Sequence, residues 1–413
     1  MTSSERRREG RYLRRKAARE AKKQKRYATC DNFQNLISYQ SLYAANKKSK
    51  RNVTWKASVQ RYQMNLLRNL EETRSALNQC RDITKGFVEF DTMERGKVRH
   101  IRSIHFSERV IQRSVCDNAL VPMLRRSLIY DNGACLEGKG VDQALDRLTA
   151  HLQQFYRRNG FSNDGWAVIF DFSKFFDNIL HNHCFEMYNK EFRDILILWL
   201  LSCFILPFGY PFHSVPYRRI KRNGSQKGYT GLSLGLGSQV SQITAVAYPS
   251  VIDHFIKEKL RVKFYGRYMD DGYMLFATKA EAMEAIKKLT AICKKFGITI
   301  NPRKTHVAKL KYGIRFLKVK LTLTETGKVL RRADRSSIVR QRRKLKKFAS
   351  CGKLTLDEIA NSHASWKGHM LKRGGGGAVK AMDALYYSLF GVSAPKCIIR
   401  KRRNPKWKIR KAS

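Results

Sequence analysis

Phe264-Tyr265-Gly266-Arg267-Tyr268-Met269-Asp270-Asp271-Gly272-Tyr273-Met274-Leu275-Phe276-Ala277 places two short apolar runs on either side of paired aspartates. Runs of this length rich in aromatic residues read as buried strands, and Asp271-Gly272 between them is a hairpin-turn signal. Two carboxylates side by side at a turn are unfavourable, because like charges a few ångströms apart resist joint ionisation. A divalent cation removes the conflict. Short-armed aspartates offering hard oxygens suit Mg²⁺, with Mn²⁺ as the alternative. Trp166-Ala167-Val168-Ile169-Phe170-Asp171 is another apolar run ending in a carboxylate, the pattern of a buried strand that delivers a side chain from its tip. Asp171, Asp270 and Asp271 together make a candidate site for two ions. Composition alone would supply Tyr-x-Asp-Asp about 0.03 times in this chain, so the pattern carries information.

Outward from these strands, residues 242–259 and 279–296 have helical spacing, which implies an α+β fold with helices packed on a sheet. Upstream, 55–77 is helix-like, 98–104 alternates like a strand and 108–125 reads as a helix. The most apolar stretch, 195–207, is too short to span a bilayer and reads as a buried helix. Downstream, 336–348 is a basic helix candidate, and 355–371 and 378–390 give two more. The four glycines 374–377 between them lack the following Lys-Ser/Thr of a phosphate loop and read as a flexible link. Five segments follow: a basic extension at 1–52, N-terminal helices with a basic finger-like module at 53–160, a strand-rich segment carrying the aspartates at 161–325, a basic helical subdomain at 326–392 and a basic tail at 393–413.

The charge balance identifies the partner. Among 413 residues, 83 Lys and Arg against 33 Asp and Glu give +50, far beyond what solubility requires. Residues 1–27 hold twelve cations and three acids, and the last eighteen residues hold nine cations and no acid. Small basic ribosomal or chromatin-like binders confine their charge to tails, whereas here cations run through the whole length, as expected of a protein bound to a large polyanion. Nine cysteines without any C-x-x-C pair argue for reduced thiols in a cytoplasm and against a zinc ribbon. The N-terminus is charged without an apolar core behind it, so no secretory signal is expected.

Several motifs now resemble one family in consistent order over about 95–320. Phe170-Asp171-Phe172-Ser173-Lys174-Phe175-Phe176-Asp177 is similar to the first palm motif of bacterial reverse transcriptases, and Tyr268-Met269-Asp270-Asp271 to their metal-binding hairpin. Lys97-Val98-Arg99-His100-Ile101 with Ser107-Glu108-Arg109-Val110-Ile111-Gln112 resembles the fingers motif of group II intron-like enzymes. Asn132-Gly133-Ala134-Cys135 with Gly138-Lys139-Gly140 resembles the next. Leu234-Gly235-Leu236-Gly237-Ser238-Gln239 resembles the motif that supports the templating base. Asn301-Pro302-Arg303-Lys304-Thr305 resembles the fourth palm motif, and Tyr312-Gly313-Ile314-Arg315-Phe316-Leu317 the primer-grip strand.

The resemblance implies a right-hand polymerase fold and RNA-directed DNA synthesis with dNTPs. Asp171 and Asp270 would hold both ions and Asp271 bind more weakly. Phe176 would be the steric gate against a ribose 2′-hydroxyl. Lys97 and Arg99 would meet the triphosphate, and Lys304 would protonate the leaving pyrophosphate. Leu236 and Gly237 would lie at the nascent base pair, and Gly313, Phe316 and Leu317 at the primer. Gly235-Leu236-Gly237 stands where many of these enzymes have Pro-Gln-Gly, a departure shared with diversity-generating and several unclassified bacterial enzymes, and it implies relaxed base selection. Adjacent His181-Asn182-His183 is not the dispersed ligand set of a ββα nuclease. Two classes remain, an active polymerase and an RNA-binding maturase or scaffold; the intact aspartates favour the first. The absence of an appended zinc-nuclease domain and of a Val-Thr-Gly signature points to an unclassified, defence-associated enzyme. Diversity generation is the alternative. The expected partner is a structured non-coding RNA, as template or scaffold, with an oligomer compatible and no membrane.

Overall fold

The computed structural model describes residues 2–94, 96–210 and 229–397, apart from the Lys97 side chain; most of the basic C-terminal tail lies outside the described residues. The chain divides into two compact units, Met1–Arg147 with Val168–Val307, and Leu148–Ala167 with Ala308–Ser413.

In the first unit, β1 (Phe87–Glu94) and β2 (Lys97–Ile104) form an antiparallel hairpin. The main sheet is built from β3 (Trp166–Ser173), β4 (Tyr265–Tyr268), β5 (Asp271–Phe276) and β6 (Thr299–Ile300), in the order β4-β5-β3-β6, and β7 (His306–Lys309) also pairs with β3. β3 lies between β5 and β6, so its backbone is paired on both edges, and 167–172 are buried on both faces of the strand. The architecture is mixed α+β, as expected. Helix Phe106–Val115 buries Val110, Ile111 and Val115 and continues through a π-helical turn, Cys116–Leu120, into Val121–Leu124. Helix Lys279–Lys295 starts on a capping box in which Thr278 and Glu281 satisfy each other's backbone N–H.

Three expectations need correction here. The helical spacing over 55–77 resolves into Ala57–Met64 and Leu66–Asn78, separated at Asn65. The helix expected over 242–259 starts earlier, as Gln239–Ala247, and is interrupted at Tyr248-Pro249, because proline lacks the N–H the helix would need. The hairpin register pairs Tyr268 with Asp271, so the turn residues are Met269 and Asp270 rather than Asp271-Gly272. Gly272 lies inside β5 for a packing reason: a Cβ there would fall 2.1 Å from the Phe170 ring.

Helix Ser3–Cys30 begins on a capping box from Thr2 and Glu5, and Cys30 is its one buried residue among those described. It has no apolar stripe to bury, as the sequence implies. No helix among the described residues is long and apolar enough to cross a membrane.

The second unit contains β8 (Ile314–Phe316), β9 (Val319–Leu323) and β10 (Val329–Ala333), ordered β10-β9-β8. Its helices Arg335–Cys351, Leu356–Leu371 and Gly376–Phe390 meet around Leu345, Ile359 and Tyr386. Buried His363 ties the three together, bonded to Gln341 and Asp383 and stacked on Trp366 and Tyr386. The four glycines are not a simple flexible link. Gly376 and Gly377 open the last helix, while Gly374 has φ +75° and a Cβ on it would fall 2.5 Å from the Arg331 carbonyl.

The expected primer-grip strand ends sooner than its motif. Leu317 and Lys318 form a two-residue turn between β8 and β9, with φ of 47° and 64°. Positive φ at both positions is the type I′ geometry that suits Asn-Gly, and L-residues are disfavoured there. Lys318→Gly should therefore stabilise the protein by about 1 kcal/mol, read as a higher denaturant midpoint. An unchanged or lower midpoint would refute the strain.

Candidate active site

The site is assembled by β3, the β4-β5 hairpin and the segment after β6. Asp171 is buried near the end of β3, and the hairpin brings Asp270 and Asp271 beside it. The Phe172 N–H donates to the Asp270 carbonyl at 3.2 Å, which locks the turn to the strand. Lys304 reaches the same place: its Nζ donates to both Asp171 oxygens, at 2.7 and 2.8 Å, while its side chain stays 49% exposed. Asn301 holds Asp171 twice, by its N–H to the Asp171 carbonyl at 2.8 Å and by Nδ2 to the carboxylate at 3.2 Å.

These groups strongly perturb one another. Burial, followed by the charges of Asp270 and Asp171 and a hydrogen bond with Asp171, pushes Asp271 up to about 7. Burial and the Asp171 charge also raise Asp270, against a hydrogen bond from its own backbone N–H and the charges of Lys304 and Arg99. Burial works against the Lys304 ammonium, but its bond to Asp171 and the three carboxylate charges leave it above its ordinary value.

Among the described residues no three His, Cys, Asp or Glu side chains are already disposed as a metal cage. The donor set nevertheless fits a hard divalent ion. It offers only carboxylate oxygens, carries an unrelieved like-charge conflict, and already holds one cationic group on Asp171.

The other candidates fall in two places. Lys97 begins β2, and Arg99 follows on it, half-exposed, with its guanidinium 2.7 Å from Glu94. Phe176 sits in the turn after β3, edge-on to Phe175, and its carbonyl accepts from the Leu234 N–H at 2.8 Å. Two residues along, the Leu236 carbonyl accepts from the Arg102 N–H at 3.0 Å on the free edge of β2. Gly237 follows at φ +124°, with the Arg102 carbonyl 2.4 Å from where a Cβ would be. Main-chain bonds thus join the segments of Phe176, Leu236 and Arg102. Gly313, Phe316 and Leu317 belong to the second unit: Gly313 has φ +79° and no room for a Cβ beside Thr322, Phe316 is buried, and Leu317 is a turn residue. His181, at the start of a helix, bonds Tyr229 and the Ser233 carbonyl and serves as a buried structural histidine.

Sequence reasoning assigned no role to Asn301, Gln112 or Arg267. Buried Gln112 accepts from Ser238 Oγ and the Gln239 N–H, anchoring the helix after the Gly-Leu-Gly motif. Arg267 is fully buried within the hairpin. A lone cation within an otherwise apolar strand run was the available signal for it.

A sheet with one carboxylate on a hairpin turn, the next on the first residue of the following strand and a third on the neighbouring strand has the form of the palm of a polymerase-type domain. The sequence profile described as Reverse transcriptase (RNA-dependent DNA polymerase) matches residues 93–321, more than half the chain, and the chain belongs to that family. The family generally uses divalent metal ions. No curated protein matches the chain. Similar solved structures include apo telomerase from Candida tropicalis truncated from its C-terminal domain, with TM-score 0.42, 12% identity, and 59% of this chain and 54% of that one covered. Telomerase from Candida albicans in complex with a TWJ fragment of telomeric RNA gives 0.44 at 11% identity, covering 79% and 59%. The chain thus spans less than two thirds of their length.

Proposed function

We propose that this protein is an active RNA-directed DNA polymerase that extends a primer with dNTPs on a structured RNA template. The observation that carries the reading is the convergence of Asp171, Asp270, Asp271 and Lys304 at the meeting of strand, hairpin and loop. Asp171 and Asp270 would hold two Mg²⁺ ions, with Asp271 the weaker ligand and Mn²⁺ an alternative. When bound, the ions activate the primer 3′-hydroxyl and support the leaving pyrophosphate. Lys304, kept protonated by its carboxylate neighbours, is the proton source on the pyrophosphate side. Arg99, with Lys97, meets the triphosphate, and Phe176 excludes the 2′-hydroxyl. Gly313, Phe316 and Leu317 serve the primer. The segments 53–160, 161–325 and 326–392 act as fingers, palm and thumb. Labelled dNTP incorporation on RNA that co-purifies with the protein tests the reading; an inert wild type under Mg²⁺ and Mn²⁺ would overturn it.

The Gly-Leu-Gly motif supports two finer statements. Without a glutamine at 236, one polar contact to the nascent pair is missing, so Leu236→Gln should lower misincorporation severalfold in sequenced products. An unchanged error rate would count against loose selection. The likeness of this motif to unclassified bacterial enzymes supports service in antiphage defence, in a reducing cytoplasm, with diversity generation as the alternative. Phage plating that is the same with wild type and an active-site variant would exclude defence.

A further inference from the structure

The hairpin that carries Asp270 is held from behind by a buried ion pair. Arg267, on β4, and Asp253, on the helix Ser250–His254, are both wholly shielded from solvent. Nε and Nη2 of Arg267 donate to the two Asp253 oxygens at 2.8 and 2.6 Å, and Tyr265 Oη also donates to Asp253. Nη2 makes a second bond, to the Val246 carbonyl at 3.0 Å. The remaining arm leaves the pair: Nη1 donates to the Met269 carbonyl at 2.8 Å.

That carbonyl belongs to the peptide unit joining Met269 to Asp270. Met269 stands at φ +55°, a left-handed conformation disfavoured for a side chain of its kind. The nitrogen on the other end of the same peptide unit is that of Asp270, so the plane fixes where the Asp270 side chain leaves the turn. A chain of contacts therefore runs from Asp253 through the guanidinium to the peptide plane from which the Asp270 side chain departs. Buried ion pairs add little net stability compared with apolar side chains of similar volume. Their value lies in geometry, and the planar fork of arginine can hold Asp253 with one edge and a carbonyl with another, which a lysine cannot.

We propose that Arg267, oriented by Asp253, is a positioning residue that sets the Met269-Asp270 peptide plane and thereby aims the Asp270 carboxylate for metal binding. The proposal rests on the reading of Asp270 as a metal ligand. Arg267 touches neither substrate nor metal; it acts through the turn.

The test uses the full chain with Arg267→Lys and the double change Arg267→Met/Asp253→Leu, which replaces the pair by apolar groups. Three quantities are measured: melting temperature without metal, Mn²⁺ affinity from the EPR signal of free Mn²⁺, and the Mg²⁺ concentration for half-maximal dNTP incorporation. The expected result is a double variant that melts close to wild type, yet binds Mn²⁺ roughly tenfold or more weakly and needs correspondingly more Mg²⁺. Arg267→Lys should shift both metal readouts in the same direction. Wild-type metal affinity in either folded variant would overturn the proposal, and so would failure of both variants to fold, which would make the pair structural alone. If the wild type itself bound no Mn²⁺, the functional reading would fail first, and the proposal with it.

Discussion

Replacing Asp270 by alanine is expected to cut dNTP incorporation at least about 10³-fold while RNA affinity stays within about twofold of wild type. Asp270 sits on the turn within the field of Asp171, and its neighbour Asp271, the weaker ligand of the proposed pair, would be left to hold the ions with Asp171 alone. RNA affinity, by contrast, is expected from cations spread over the chain. Primer extension and a binding isotherm on the same preparation check both halves; residual synthesis above one per cent would place the chemistry elsewhere. A stability consequence accompanies the loss. In the metal-free protein Asp271 is raised to about 7 from its ordinary 3.8, so between these values the folded state holds more protons than the unfolded chain. Stability must therefore fall as pH climbs through that window, with the loss complete above about 7. Asp270→Asn removes one of the charges responsible, so without metal it should melt higher than wild type at pH 8 and alike near pH 4. Equal melting at pH 8 would show that the carboxylates do not repel one another as described.

The second large effect is expected from salt. Helix Ser3–Cys30 carries twelve cations, and at 3.6 residues per turn all but Arg6 project from little more than half of its circumference. The residues before Lys23 lie almost entirely in solvent. The helix is about 42 Å long at 1.5 Å per residue, which suits it to a run of phosphates. Helix Arg335–Cys351 adds a second basic surface in the other unit. If six to ten phosphates are neutralised, RNA affinity should drop by about 10³ to 10⁵ between 50 and 200 mM salt, with a linear log–log dependence. Deleting residues 2–22 should flatten that slope while sparing dNTP incorporation on a short primed template at low salt. A slope near zero for the full chain would show that its charge is not spent on phosphates.

The aspartates were legible because their neighbours are extreme: a short apolar run rich in aromatic and β-branched residues reads as a buried strand, and a carboxylate at its end has to emerge somewhere useful. Strand β3, the hairpin and the helix Lys279–Lys295 follow from local pattern alone. What stayed hidden depends on contacts between distant segments. The turn shifted from Asp271-Gly272 to Met269-Asp270 because Gly272 is required by the Phe170 ring, about a hundred residues upstream. Gly374 looked like a flexible link and instead answers to Arg331. Asn301 lay inside a recognised motif, but its grip on Asp171 depends on β6 pairing with β3. Arg267 could be read as unusual, not as a clamp, since Asp253 is fourteen positions earlier on a separate helix.

The bond between Leu236 and the edge of β2 has a mechanical corollary. Arg102, whose N–H donates it, lies on the strand that begins at Lys97 and includes Arg99. The segment proposed to feel the base and the one proposed to grip the phosphates are thus two jaws of one calliper, hinged by main-chain bonds that only a proline at the donor would remove. Swinging the hairpin inward over a triphosphate would drag Leu236 with it, and a poorly seated base would resist through the same linkage. Selection of the nucleotide would then be read out as the ease of closing, set by leverage rather than by any single contact.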